Sequence, residues 1–455
     1  MRKKPASKHI LLAALTIFGY AFSWSAIAAP KVKTKVDQST KRIKTSIPKV
    51  DAKPDYARSV RIAMAEMEAK PDYSAKGFRV GAFEIKPILE LGSDWNDNIY
   101  DTQTDAIATF VTHIKPSVKI ASNWNNHSLD LSVNSDIQNY LGYSREDRQI
   151  IDVKLNGRLD VLRNSFAYAR FNYLNSPESR GAPTSPTNAL TPTISQTLTG
   201  ETGYDHAIYR IRLHADNIIA HQQYADGITQ QGDIIPNNQN RSRLSNISTL
   251  RLGYEIRPNY EAFIKGSYNF INYDFQFDDN GYQRSSKGYQ VVAGLALELS
   301  GKLTGDVRIG YQGQIYDDPR LANIAGSAGG ITLKWAATGL TTITTDLTRT
   351  INETTLIGAS GYLATSFNTK IEHELLRNLI LSADVGYTFN QYRGGNEPNP
   401  PRTEDVYSAN FNAKYMPNRS FYVDAGYRYN SRKVQNVSDS NYDSNVVYLS
   451  VGMQF

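Results

Sequence analysis

The residues of this chain that could act on a solute are charged side chains that alternate with apolar ones. Asp152 and Lys154, for example, alternate with Ile151, Val153 and Leu155. A period of two places the charges on one face of a strand and the apolar residues on the other. Charges that line a pore set which solutes pass, whereas charges that pair between neighbouring strands stabilise the wall.

The same alternation recurs along the chain and defines a set of candidate lumen-lining residues. They are Asp152, Lys154, Arg158, Asp160, Arg210, Arg212, Asp216, Arg251, Glu255, Lys265, Asp306, Arg308, Asp384, Asp424 and Arg428. For most single residues we favour the structural role in cross-strand pairs. The mixture of both signs argues against strong anion or cation selectivity and suits a neutral or weakly charged polymer.

Motifs for catalysis or metal binding are absent from the sequence. His373-Glu374-Leu375-Leu376-Arg377 begins like a zinc-protease helix but has Arg where the second His must lie. Gly358-Ala359-Ser360-Gly361 is one residue short of a nucleophile elbow. We therefore expect no catalytic residue, no metal site and no cofactor, although a triad assembled from separate strands stays open.

Two groups of aspartates fall in predicted loops. The first is Asp97, Asp101 and Asp105, and the second is Asp274, Asp278 and Asp279. Such carboxylates could bind divalent cations at a lipopolysaccharide surface, but we favour solvated loop tips.

The amino terminus predicts secretion. Basic residues precede an apolar run from Ile10 to Phe22, and Ala26-Ile27-Ala28 has small residues at the positions that a signal peptidase reads. Residues 1–28 are thus a predicted signal peptide, too short in its apolar run to span a membrane. The chain has no cysteine, which excludes disulfides and thiolate-bound metals.

The segment 29–78 is predicted to be basic, periplasmic and mostly disordered. It is rich in Lys, Thr, Ser and Pro, and a short helix is predicted from Arg58 to Ala69. The leader carries four positive charges and residues 30–78 carry a net +6, so the formal net charge of +6 for the whole chain leaves a net charge near −4 on the remainder. The basic balance is therefore poor evidence for nucleic-acid binding, and we expect no nucleic-acid partner.

From residue 79 to 455 the pattern predicts an all-β fold, a transmembrane antiparallel β-barrel. Tight turns such as 163–164, 258–259 and 377–378 alternate with longer polar stretches such as 175–190, 225–240 and 393–403. Short periplasmic turns and longer extracellular loops alternate in this way in outer-membrane barrels. Asn352-Glu353-Thr354 is an exception, a short connection on the long-loop side. We predict about 18 strands, with roughly 16–18 as the range, and both termini in the periplasm.

The last strand of the chain supports the barrel. Val447, Leu449, Val451, Met453 and Phe455 alternate with polar or small residues, and the chain stops at an aromatic residue. A final strand of this kind resembles the signal that the barrel-assembly machinery reads in bacterial outer-membrane proteins. An ordinary edge strand is the alternative.

Several stretches carry a resemblance to one family. They are Arg79-Val80-Gly81-Ala82-Phe83, Pro87-Ile88-Leu89-Glu90-Leu91-Gly92, Asp97-Asn98-Ile99-Tyr100, Glu353-Thr354-Thr355, Gly358-Ala359-Ser360-Gly361-Tyr362 and His373-Glu374-Leu375-Leu376-Arg377-Asn378. These motifs resemble the outer-membrane β-barrel porins that bacterial exopolysaccharide gene clusters often encode. The likeness spans roughly residues 79–455 and implies no catalytic residue.

The resemblance implies passage or export of an extracellular polysaccharide through the bacterial outer membrane. The partners that it implies are outer-membrane lipid and lipopolysaccharide, the barrel-assembly machinery and periplasmic polysaccharide-export components. Two alternatives stay open: a general diffusion porin for small solutes, and a non-conducting structural or surface-binding barrel. The sequence leaves the oligomeric state open.

Overall fold

The computed structural model describes residues 73, 75–182, 184–186, 189–228, 238–299, 301–394, 402–435 and 441–455. The predicted signal peptide (1–28), most of the predicted basic segment (29–72) and its predicted helix lie outside the described residues. None of the helices that the described ranges contain is long and apolar enough to cross a membrane.

The described residues form antiparallel strands almost throughout. The strands are β1 (Phe78–Val80), β2 (Phe83–Asn96), β3 (Thr109–Ser122), β4 (Ser128–Tyr140), β5 (Arg148–Leu162), β6 (Ser165–Pro177), β7 (Ile194–Ile208), β8 (Ile211–Tyr224), β9 (Arg243–Arg257), β10 (Tyr260–Tyr273), β11 (Ser286–Leu299), β12 (Leu303–Tyr316), β13 (Ile324–Ala336), β14 (Thr341–Glu353), β15 (Gly361–Leu376), β16 (Leu379–Arg393), β17 (Thr403–Tyr415), β18 (Phe421–Gln435) and β19 (Tyr442–Gln454). Two short 3₁₀ helices, Ser144–Glu146 and Asn238–Arg241, lie in the connections.

Strands β2 to β19 close into a barrel of eighteen strands. Each pairs with the next along the chain, and β19 pairs with β2 from Val446↔Asn96 to Gln454↔Ile88. The predicted barrel of about 18 strands is therefore confirmed. Closure leaves no edge strand among β2–β19 to pair with other chains. The short β1 folds back on β2 through a turn at Gly81, whose φ of 62° favours glycine.

The outward face is apolar, as the alternation predicts. Leu91 on β2 and Val451 on β19 are register partners, and both are about half exposed, at 52% and 49%. Outward aromatic side chains lie near both ends of the strands, such as Trp95 at one end and Trp335 at the other. Amphipathic rings at both borders of an apolar band suit the two membrane interfaces.

The connections alternate between short and long. The short ones are 123–127, 163–164, 209–210, 258–259, 300–302, 337–340, 377–378 and 416–420, and they define the turn end of the barrel. The long ones are 97–108, 141–147, 178–193, 225–242, 274–285, 317–323, 354–360, 394–402 and 436–441, and they define the loop end. One expectation was wrong: Asn352 and Glu353 complete β14, and the connection to β15 is 354–360, because β14 and β15 stay paired up to Glu353↔Gly361.

Candidate functional site: the barrel lumen

The inward faces of β5 to β12, with Thr350 and Ile351 of β14, line a cavity of 1030 Å³ inside the barrel. Six predicted candidates line it: Arg158, Asp216, Arg251, Lys265, Asp306 and Arg308. A smaller cavity of 280 Å³ is lined by β2 to β5 and β18 and includes Asp152. These side chains lie where a solute inside the barrel would meet them, and their role in solute passage stays a prediction.

Arginine–carboxylate pairs dominate the wall of the larger cavity. Arg158 Nε lies 2.8 Å from Asp160 Oδ1, and Arg308 Nη1 lies 2.5 Å from Asp306 Oδ2. Arg170 Nη1 donates to Glu201 Oε1 at 2.9 Å. The first two pairs join residues two apart on one strand, and only Arg170 and Glu201 are cross-strand register partners. Opposite charges this close together leave little net field.

Glu261 joins two further arginines. Its carboxylate lies 2.5 Å from Arg251 Nη2 and 3.2 Å from Arg212 Nε. Arg251 also lies over the ring of Phe263, with its guanidinium carbon 4.1 Å from the ring centroid. A cation over an aromatic face is attracted by the ring, which helps to hold the guanidinium against the wall.

Lys265 differs from the other cations of this cavity. Among the described residues it has no ion-pair or hydrogen-bond partner, whereas the other charged lining side chains all have one. Its register partner on β9 is Arg251, a like charge. The charges that act on its ammonium are Asp216, Asp306, Arg251 and Arg308. A mobile anion inside the cavity would therefore interact most strongly with the ammonium group of Lys265.

Two histidines, each between two aspartates, are features that sequence reasoning missed. His214 Nδ1 lies 3.0 Å from Asp205 and its Nε2 lies 2.9 Å from Asp216. His113 lies 2.9 Å from Asp136 through Nδ1. A neutral imidazole donates from one nitrogen only, so it can satisfy one of the two neighbouring carboxylates at a time. The aspartate neighbours of His113 could be predicted only from the strand register, which places His113 opposite Gln138 and Gly92.

Asp94 completes the His113 group at 3.3 Å from Nε2. Elsewhere on the wall, Lys154 Nζ lies 2.6 Å from Asp152, and Glu255 lies 3.7 Å from Arg212. These contacts place Lys154 and Glu255 on the inner face.

Three candidates lie on the opposite wall, on β16 and β18. Asp384 is the register partner of Lys370 and Asn410. Asp424 accepts a hydrogen bond from Asn412, and the Arg428 guanidinium lies 5.6 Å from the Tyr448 ring centroid. This wall is therefore polar as well, but more weakly paired than β5 to β12.

Arg210 is a correction. It lies in the two-residue turn between β7 and β8 rather than on the inward face of a strand. The preceding residue, Tyr209, has a φ of 53°, outside the strand region. A tight hairpin needs such a conformation, so the alternation of β8 does not extend backwards through the turn.

At the loop end, the connection between β6 and β7 contacts several other loops. Arg180 Nε donates to Glu146 Oε2 at 3.2 Å, and Glu146 is 1% exposed. Ser179 Oγ donates to Asp101 Oδ2 at 2.6 Å, and Arg432 of β18 donates to Gly181 O. The connection thus reaches from β6 to β18 at the mouth of the barrel.

Burial raises the pKa of the Asp101 carboxyl, because the charged form loses its hydration. The hydrogen bonds from Ser179 and Gly181 act in the opposite direction but are weaker. Its protonation state is therefore coupled to the docking of this connection.

The same loop end carries further buried ion pairs. Arg241 Nη2 lies 2.9 Å from Glu178 Oε2, and both side chains are nearly buried. Arg402 Nη2 lies 2.6 Å from Glu404 Oε1, with Glu404 1% exposed. Buried pairs of this kind are costly to break from one side, because the remaining charge is left without a partner.

The aspartate groups serve in part to fix these loops. Asp97 accepts from the Asn445 backbone at 2.7 Å, and Asp274 pairs with His221 at 2.9 Å. Asp278 is 5% exposed beside Arg284, so the expected solvated tip was wrong for this residue. Within the described ranges, no group of three carboxylate or histidine side chains could hold a metal ion.

The geometry defines a closed β-barrel with an apolar outer face and a charged inner face, the architecture of outer-membrane channels. Residues 70–455 match the model of the family described as "Putative beta-barrel porin 2", and the chain belongs to that family. This membership indicates an outer-membrane, porin-like barrel. A porin family is in general not enzymatic.

The chain is also similar to solved structures. OccK3 (OpdO) from Pseudomonas aeruginosa is 12% identical, with 82% of this chain and 96% of that chain covered and a TM-score of 0.41. The siderophore receptor PiuA from Acinetobacter baumannii is 10% identical, with coverages of 84% and 82% and a TM-score of 0.47. The comparison with curated proteins gave no match.

Proposed function

We propose that this protein is an outer-membrane channel that passes a saccharide polymer outwards. The supporting observation is the wall of the 1030 Å³ cavity, where carboxylates and guanidinium groups are paired with each other. Paired charges present hydrogen-bond donors and acceptors to hydroxyl groups but little net field to attract or repel ions. A neutral or weakly charged, hydroxyl-rich chain matches such a wall.

A general diffusion porin is the second candidate, and the loop end favours it. The β6–β7 connection is held over the mouth by Glu146 and Asp101. A fixed constriction suits small solutes, whereas a polymer requires that these contacts open. The two candidates therefore differ in whether the loop end moves.

The orientation is part of the proposal. Gly77 donates its backbone N–H to Phe455 O at 2.9 Å, so the barrel begins and finishes at the turn end. We place this end in the periplasm, since short turns face the periplasm in bacterial barrels. The basic segment 29–78 would then lie where periplasmic export components could contact it.

The test is single-channel conductance of the purified mature protein in a planar bilayer, followed by exclusion of neutral sugars of increasing length. Exclusion of all but monosaccharides and disaccharides would support the porin and overturn the exporter. Passage of longer oligosaccharides would support the exporter. Silence under voltage, also after removal of residues 29–78, would overturn both in favour of a non-conducting barrel.

A further inference from the structure

The loop ends of β14 and β15, residues 350–361, do not follow the wall of the barrel. The β13–β14 ladder stops at Gly329↔Arg349, whereas β14 stays paired with β15 up to Glu353↔Gly361. Gln312, on the inward face of β12, donates to Ser327 O at 3.1 Å and Arg349 O at 3.2 Å. Its amide therefore spans the point where β13 and β14 separate. We call residues 350–361 the β14–β15 tip.

The tip lies against the inner side of the neighbouring strands. Tyr316 and Ile324, from the inward faces of β12 and β13, pack with Leu363 and Ile351. Ser286 of β11, also inward-facing, donates to Glu353 Oε1 at 3.3 Å. Contacts with the inner faces of three successive strands place the tip inside the barrel.

One side chain binds the backbone of the tip at several points. Arg284, in the connection between β10 and β11, is 2% exposed. It donates through Nη1 to Thr354 O at 2.8 Å and Ala359 O at 3.0 Å, and through Nη2 to Leu356 O at 3.4 Å. Its Nε donates to Asp278 Oδ2 at 2.6 Å. The planar guanidinium thus holds a loop that lacks regular structure of its own.

We infer that the β14–β15 tip sets the size limit of the channel and that Arg284 is the residue that positions it. The inference rests on the proposed channel function. Residues 354–360 lie between β14 and β15 and have no strand partner for their carbonyl groups. The buried guanidinium of Arg284 donates hydrogen bonds to three of these carbonyl groups. Without Arg284, these carbonyls and Asp278 lose their partner, and the tip is free to leave the lumen.

Position is tested first, with a readout independent of conductance. Ser360 in the tip is buried, and the chain has no cysteine, so Ser360→Cys provides a single thiol. We expect a polar maleimide to label this thiol about tenfold faster in Arg284→Gln than in the parent. Arg284→Lys, which keeps a charge for Asp278 but loses the fork, should label at an intermediate rate.

The matched control is Arg320→Gln. Arg320 pairs with Asp318 at 2.6 Å in the neighbouring loop and is 55% exposed. Its remaining contacts among the described residues are Gly281 O and the Tyr282 ring. Labelling of Ser360→Cys should stay at the parental rate in this background. Equal rates in all four proteins would overturn the positioning role of Arg284.

The size limit is tested in the same proteins, without the added cysteine. We expect Arg284→Gln to conduct about twofold more than the wild type and to admit longer neutral sugars, because less of the lumen is occupied. Faster labelling with unchanged conductance and sugar cutoff would overturn the size-limiting role. Faster labelling with every protein silent would support the positioning role while overturning the proposed channel. Circular dichroism confirms that each variant retains the barrel.

Discussion

At the scale of single residues, the pair between Arg180 and Glu146 is predicted to hold the β6–β7 connection against the β4–β5 connection. Both side chains are nearly buried, so Glu146→Gln leaves a buried guanidinium without its counter-charge. We expect the docked state to lose about 3 kcal/mol, roughly a hundredfold in the opening equilibrium. The measurement is the rate at which trypsin cleaves after Arg180 in the reconstituted barrel.

The control is a pair with similar geometry and high exposure. Lys370 Nζ lies 2.7 Å from Glu372, with the side chains 46% and 36% exposed. Lys370→Gln should cost less than about 1 kcal/mol and leave cleavage at Arg180 unchanged. Equal cleavage in the wild type and Glu146→Gln would mean that the buried pair does not hold the connection.

The sequence predicted which residues carry charge on the inner face, but not their partners. Alternation placed Arg158 and Asp160 on one face, since they are two positions apart. Neither spacing nor composition links His113 with Asp136, because their contact depends on the register of β3 against β4. Arg284 and Thr354 are 70 residues apart, and only the folded loops bring them together.

At the scale of elements, Asp101 in the β2–β3 connection makes the docking of the β6–β7 connection dependent on pH. Its pKa is raised in the docked state, so protonation and docking favour each other. Docking is therefore strengthened as the pH falls through the raised pKa and weakened above it, where the carboxylate is charged. We expect the single-channel current of the wild type to fall as the pH is lowered through the raised pKa of Asp101, and a pH titration of the current measures this.

The Asp101→Asn variant separates the effect of Asp101 on the pH dependence of the current from any effect of the histidines in the lumen. The amide oxygen still accepts from Ser179 and Gly181 but cannot be deprotonated. Its current at neutral pH should match that of the wild type at acidic pH, with a flat dependence in between. A wild-type current that rises on acidification would contradict the coupling between protonation of Asp101 and docking.

The strands provide a second prediction for elements, because each has one lipid face and one lumen face. Leu295 on β11 is 49% exposed on the outward side, and Gln290 on the same strand lines the cavity. Leu295→Arg should cost about 2–4 kcal/mol of unfolding free energy in lipid vesicles, whereas Gln290→Arg should cost close to nothing. Urea titration monitored by tryptophan fluorescence measures both. Similar losses would mean that the faces are assigned wrongly.

At the scale of the whole molecule, the sequence predicted most of the architecture. A membrane outside and water inside impose period two on every strand, and alternating short and long connections report the two ends. The strand number and the closure of β19 on β2 followed from these rules. The position of the β14–β15 tip did not, because β14 alternates like its neighbours and its departure from β13 depends on contacts with Tyr316 and Ser286.

The summed charge of the lumen gives the last prediction. Because the charged groups of the larger cavity are paired except for Lys265, the pore should discriminate weakly between ions, with a K⁺ to Cl⁻ permeability ratio within about threefold of unity. Reversal potentials under a KCl gradient measure it. Lys265→Glu should shift the ratio towards K⁺, since Arg251 opposite already pairs with Glu261.

Lys302→Glu makes the same change of charge in an exposed turn at the turn end and should leave the ratio near the wild-type value, because salt screens charges at the mouth within about 10 Å. If both variants shift the reversal potential equally, selectivity reflects the overall charge of the protein and not the lumen. If neither does, ions do not pass the wall that Lys265 lines, and the conducting path lies along the β16–β18 side of the barrel.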